Sequence, residues 1–203
     1  MKRLVIVLIV AIAIAIGGIF IYSRVMFNHT GIENKEEAAL KGNSKVLVVY
    51  FSWSGNVQKM ARWISEETKG ELFRIVPKKS YGTDYKKCTE RAKDELDQKI
   101  RPEISSTISK EMLKKYDVIY LGFPIWWYDL PMPVWTFLEG ADLQGKTIIP
   151  FFSHEGSSSG ANSLNTLKDL AKGAHVLTDK ALSIRGRKVS GSEDEVKKWA
   201  KML

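Results

Sequence analysis

The loop Ser52-Trp53-Ser54-Gly55-Asn56-Val57 follows directly on the apolar run Val46-Leu47-Val48-Val49-Tyr50-Phe51. The run reads as a buried strand. Val57, Met60, Ala61 and Ile64 then recur at helical spacing, so the loop opens a helix. A loop in that place offers free backbone N–H groups, the hydroxyls of Ser52 and Ser54, the Asn56 amide and the positive end of a helix dipole to one point. That chemistry suits a phosphate. The loop has no Lys or Arg, so the anion would be held by neutral donors.

Two further loops carry unusual residues. In Gly122-Phe123-Pro124-Ile125-Trp126-Trp127-Tyr128-Asp129-Leu130-Pro131, consecutive aromatics stand just ahead of a proline-capped helix. Trp and Tyr can stack on a flat conjugated ring and present N–H or O–H groups at its edge. One of Trp126 and Trp127 is expected in the core and the other facing a ligand; the sequence leaves open which. The loop Ser153-His154-Glu155-Gly156-Ser157-Ser158-Ser159-Gly160 is rich in Gly and hydroxyls, and can bring backbone close to a ligand edge. His154 is either a partly exposed polar residue or a group that donates a hydrogen bond or relays a proton beside that ligand. Other chemistries lack their motifs. No Gly-x-Gly-x-x-Gly follows the first strand, and no Gly-Lys-Ser/Thr occurs. Three scattered His and one Cys suggest no metal cluster. The serines at 157–159 lack the context of a nucleophile elbow.

The elements that must position these loops follow from periodicity. Leu72 to Val76 is a short strand stopped by Pro77, and Tyr85 to Lys99 a charged helix broken at Arg101-Pro102. Cys88, Ala92 and Leu96 share one face of that helix, which marks Cys88 as a core filler. A helical piece over Ser109 to Lys115 precedes the strand Val118 to Leu121; Pro131 and Pro133 open a helix running through Leu138. Then come the strand Thr147 to Phe152, a helix over Leu164 to Ala171, a fifth strand within Val176 to Ile184, and a last helix over Val196 to Leu203. Strand–helix alternation with continuously apolar strands implies an α/β three-layer sandwich, a parallel sheet with helices on both faces. Five strands suit the order 2-1-3-4-5 with right-handed crossovers, and the loops after strands one, three and four then meet at one edge.

Leu4 to Tyr22 contain no charged side chain, and nineteen such residues just span a bilayer as a helix. Lys2 and Arg3 precede them and Arg24 follows. An uncleaved anchor is the expected reading over a cleaved signal peptide, because no small-x-small cleavage site follows. The basic start would stay in the cytoplasm and leave the rest extracytoplasmic; cleavage would instead give a secreted domain. The expected organisation is an anchor or signal segment over 1–24, a polar linker over 25–44 and one globular domain over 45–203. The net charge is +8, spread without a long basic block, which favours an anionic membrane surface over nucleic acid. A single cysteine permits no internal disulfide.

These loops, together with Tyr81-Gly82-Thr83-Asp84-Tyr85 and Arg101-Pro102-Glu103, resemble the flavodoxin family, and within it the branch with a Gly-Phe-Pro-Ile-Trp-Trp loop. The resemblance runs from Lys45 to the C-terminus and implies a flavodoxin-like fold with non-covalent FMN. It implies phosphate contacts from Ser52, Ser54, Gly55, Asn56 and Val57, with Trp53 beside them. Ring contacts would come from Pro124, Ile125, Trp126, Trp127 and Tyr128, and from Ser153, His154, Glu155, Gly156 and Ser157. Val57 departs from the family's Thr/Ser-x-Thr/Ser-Gly-x-Thr/Ser pattern and shifts the phosphate towards backbone donors. The implied function is electron transfer to a redox partner protein, or NAD(P)H-dependent reduction of a quinone-like small-molecule acceptor; as an enzyme it would be an FMN-dependent oxidoreductase. Many family shuttles are strongly acidic and this chain is basic, so its reduced anionic flavin should be less unfavourable than theirs. The alternative from another class is a membrane-tethered binding module of the same fold without flavin.

Overall fold

The computed structural model describes residues 45–203 apart from Ser157. The expected anchor and linker, and Ser157 itself, lie outside the described residues. Among the described residues no helix is long and apolar enough to cross a membrane.

The chain runs β1 (Val46–Tyr50), α1 (Asn56–Thr68), β2 (Glu71–Arg74), α2 (Tyr85–Asp97), α3 (Lys110–Leu113), β3 (Val118–Pro124), α4 (Met132–Gly140), β4 (Thr147–His154), α5 (Ala161–Leu170), β5 (His175–Val176), β6 (Leu182–Arg185) and α6 (Glu193–Lys201). All strand pairings are parallel, in the order β2-β1-β3-β4-β5, with β6 also on β4. The expected 2-1-3-4-5 order is therefore present. Its cause is visible in β1 and β3, whose residues are buried on both faces and so require helices on both sides. Leu47, Val49, Leu121, Phe123 and Phe152 share one core cluster with Leu130, Val134, Phe137 and Leu167. The alternate residues turn to the other face. There α1 buries Val57, Met60, Ala61 and Ile64, with α6 beside it. The Tyr120 hydroxyl donates to the Ala200 carbonyl at 3.3 Å, tying β3 to α6.

The fifth strand differs from expectation. It is two short strands on β4, separated by a 3-10 turn over Thr178–Lys180. The polar Thr178-Asp179-Lys180 triplet suits a turn better than a buried strand. A second cause lies in β4. The Ile148 carbonyl faces outward and accepts from the Leu177 N–H at 2.9 Å. By alternation Pro150 faces the same side and has no N–H to give. β5 pairs Thr147 and Ile148, β6 pairs Phe151 to His154, and the gap falls between them.

Strand register fixes the site. Tyr50 lies opposite Gly122, and Pro124 opposite Ser153. The Phe51 N–H donates to the Gly122 carbonyl and the Ile125 N–H to the Ser153 carbonyl, each at 2.9 Å. The loops after β1, β3 and β4 thus leave one edge, stitched together.

Candidate functional site

The first loop is shaped by Gly55, the N-cap of α1, at φ 90°. A residue with Cβ would be strained there, although open space surrounds the position. No side chain caps the helix, so its first-turn N–H groups remain available. Lys59 directs its ammonium to the Ser190 hydroxyl at 2.9 Å. Ser52 is buried, and its Oγ has no hydrogen-bond partner. Trp53 is fixed by donation from its indole N–H to the Gly82 carbonyl at 2.8 Å. Val57 is 1% exposed, in the core under α1.

The second loop folds into a tight turn. The Trp126 N–H donates to the Asp129 carbonyl at 3.0 Å, and the Asp129 N–H to the Trp126 carbonyl at 2.9 Å. The two central residues, Trp127 (φ 48°) and Tyr128 (φ 66°), are left-handed, a geometry that favours Gly, Asn or Asp. Such strain costs about 1–3 kcal/mol per residue and persists only when the surroundings enforce it. They do so here. The Trp127 indole donates to the Thr89 carbonyl at 2.9 Å, and the Asn162 amide donates to the Tyr128 carbonyl at 3.3 Å. Buried Asp129 accepts from the Leu130 N–H at 2.7 Å and from the Thr166 hydroxyl at 3.1 Å. Of the two tryptophans, Trp126 is the half-buried one, edge-on to Phe51 at 5.3 Å and to Tyr81 at 5.0 Å. Trp127 is 43% exposed.

In the third loop Ser153 is buried and His154 half-buried, with its Nδ1 buried and unpartnered. The loops converge on a cleft of about 310 Å³. Trp53, Ser54, Asn56, Pro124, Ile125, Trp126, Trp127, Tyr128, Ser153, His154 and Glu155 all line it. Ser52 is buried, Gly55 caps the helix, and neither they nor Val57 and Gly156 reach the cleft wall. Ser158, in the same loop, also lines it.

A wall missed by sequence reasoning comes from α2: Tyr85, Cys88, Thr89 and Ala92. Their 85-88-89-92 spacing is the one available signal, and it also describes a core stripe. Cys88 is both, since it is 3% exposed, joins the core cluster and backs the cleft. Burial pushes its thiol up to about 11, so it is neutral at pH 7 and no ready nucleophile. The loop before α2 is clamped to the site: Arg91 donates to the Ser80 carbonyl at 2.8 Å and covers the Tyr81 ring at 3.9 Å. The cleft thus combines aromatic faces, neutral donors, an uncapped helix N-terminus and unsatisfied buried polar atoms. No Lys or Arg lines it among the described residues. This donor set fits a phosphate-bearing planar ligand such as FMN.

No curated protein matches the chain. Among solved structures, a candidate flavoprotein from Bacteroides uniformis ATCC 8492 is 34% identical over 79% of this chain and 99% of its own, with TM-score 0.66. A candidate flavoprotein from Bacteroides eggerthii DSM 20697 is 31% identical over 76% and 98%, with TM-score 0.59. A flavoprotein from Lactobacillus acidophilus NCFM, solved in complex with FMN, is 25% identical over 73% and 97%, with TM-score 0.58. The family model described as flavodoxin matches residues 45–203, the span whose loops build the cleft, and the chain belongs to the flavodoxin family.

Proposed function

We propose that this chain is an FMN-binding redox protein, held at a membrane by its N-terminal segment. The observation that carries the reading is the convergence of three strand-end loops on one cleft, with the Nδ1 of its lining residue His154 and the Ser52 Oγ of the first loop both buried and unpartnered. The FMN complex of the Lactobacillus acidophilus relative supports the choice of ligand. FMN, when bound, supplies one- and two-electron chemistry. The first-turn N–H groups of α1, with Ser54 and Asn56, would hold the phosphate. Ser52 would add its unpartnered hydroxyl. Trp126, Trp127 and Tyr128 would seat the ring against Pro124 and Ile125. His154 would place a ring nitrogen at the ligand edge, to hold or move a proton. The exposed Trp127, Tyr128 and Tyr85 leave the outer side open to an acceptor.

The acceptor is a redox partner protein or a quinone-like molecule with NAD(P)H as donor, and the globular part lies outside the cytoplasm. Glu155 is the one carboxylate on the cleft wall among the described residues, which supports a less negative potential for the second electron than in acidic flavodoxins. A redox titration returning a value as low as theirs would remove that point. A topology reporter fused after Leu203 tests the orientation; activity only in the cytoplasm reverses it. The principal test is an absorbance spectrum of the full-length chain, purified with FMN added and then dialysed. Retained flavin with shifted bands supports the reading. A colourless protein that takes up no FMN replaces it with the flavin-free binding module.

A further inference from the structure

Arg185 has no role in the arrangement described so far. It is the last residue of β6, in register with His154 at the end of β4. It is half-buried, and its Nε is fully buried without a hydrogen-bond partner. It forms no ion pair among the described residues. A guanidinium carries five N–H donors, and burying one unsatisfied is costly, so packing alone does not account for the residue.

Arg185 does not itself line the cleft; it stands behind the third loop, whose His154 and Glu155 do. The guanidinium lies against Gly156 of the third loop, where an added Cβ would come within 3.3 Å of Arg185 Cζ. Gly156 stands at φ 102°, a backbone conformation that favours glycine. The next residue, Gly186, touches both other sides. A Cβ on it would sit 2.8 Å from Asn56 Nδ2 of the first loop and 2.2 Å from Glu155 Oε1 of the third. The end of β6 therefore joins the two loops that bracket the cleft. The first loop has no cation of its own, and its last residue, Val57, is a buried apolar side chain. Glu155 comes to the same strand end from the third loop and makes no ion pair with Arg185 among the described residues.

We infer that Arg185 is the cationic element of this site and places its positive charge on an anionic group of the bound flavin. The inference rests on reading the cleft as a flavin site. Two sources of that anion share the chemistry: the phosphate, or the negative charge the ring carries once reduced.

Flavin affinity of the full-length chain distinguishes them. Wild type, Arg185→Gln and Arg185→Lys are titrated with FMN and with riboflavin, each oxidised and each reduced by dithionite, with thermal melts as a fold control. Arg185→Gln is expected to weaken binding roughly 10- to 100-fold. Loss for FMN but not riboflavin assigns the charge to the phosphate. Loss for both flavins only after reduction assigns it to the ring. Arg185→Lys should restore most of the affinity, and Glu155→Gln should strengthen binding. Arg185→Gln within twofold of wild type in all four titrations overturns the inference while the flavin reading stands. So does Arg185→Lys failing as badly as Arg185→Gln with an unchanged melt. Wild type binding neither flavin removes the flavin reading itself, and the inference with it.

Discussion

The first and second loops reach the same cleft by opposite means. The first is relaxed: its one left-handed residue is Gly55, and no side chain caps the helix that follows. The second is forced: Trp127 and Tyr128 occupy left-handed backbone at a cost, and α2, α5 and buried Asp129 hold them there. A phosphate needs backbone N–H groups, which glycine geometry exposes without strain. An aromatic platform needs large side chains at positions that backbone geometry would give to glycine. Strain is therefore confined to the loop whose side chains are indispensable.

The widest separation between the two loops should come from Asp129→Ala. It removes the acceptor of both the Leu130 N–H and the Thr166 hydroxyl. A loss of about 2–3 kcal/mol is expected in urea unfolding. Ser54→Ala in the first loop should stay within about 0.5 kcal/mol, and equal losses would end the contrast. Gly55→Ala comes next, at about 1–2 kcal/mol, entirely from backbone, since nothing stands within 4 Å of the new methyl. Then comes Cys88, behind the second loop. Its folded thiol is raised from 9.0 to about 11, chiefly by burial. Its stabilising contribution is whole below pH 9 and is lost as pH rises through 11, because the unfolded thiol ionises first. The stability gap between wild type and Cys88→Ala should narrow by about 1 kcal/mol over that window. A gap flat with pH would show the thiol to be as open as in the unfolded chain. The smallest effect has the opposite sign. Tyr128→Asn suits the left-handed position and should stabilise by about 0.5–1 kcal/mol, while weakening flavin retention. Destabilisation there would mean the ring contributes more packing than its 57% exposure suggests.

The contrast also explains what the sequence could show. Strand positions and their order were legible because runs such as Val46 to Tyr50 and Val118 to Leu121 are apolar without interruption. The meeting of the loops followed from that order. The break between β5 and β6 was not legible, because it depends on which way Pro150 faces in a neighbouring strand. The α2 wall was hidden for a different reason: a stripe such as Cys88 and Ala92 has the same spacing whether it meets a core or a cleft. The strained turn was also invisible, since Trp-Trp-Tyr-Asp carries none of the residues that usually announce such a turn. Arg185 was a single cation in a basic chain, and only the register with His154 singles it out.

The divided outer strand has one more consequence. A sheet margin is a template on which a second chain can add a strand, and a long flat one invites aggregation. Here the β2 margin runs only from Glu71 to Arg74, and at the other side the ladder stops after His175–Val176 and restarts at Leu182. An intruding strand would meet a 3-10 turn where it needs partners. The irregularity beside Pro150 thus equips an otherwise apolar sheet against self-association, whatever the cleft above it binds.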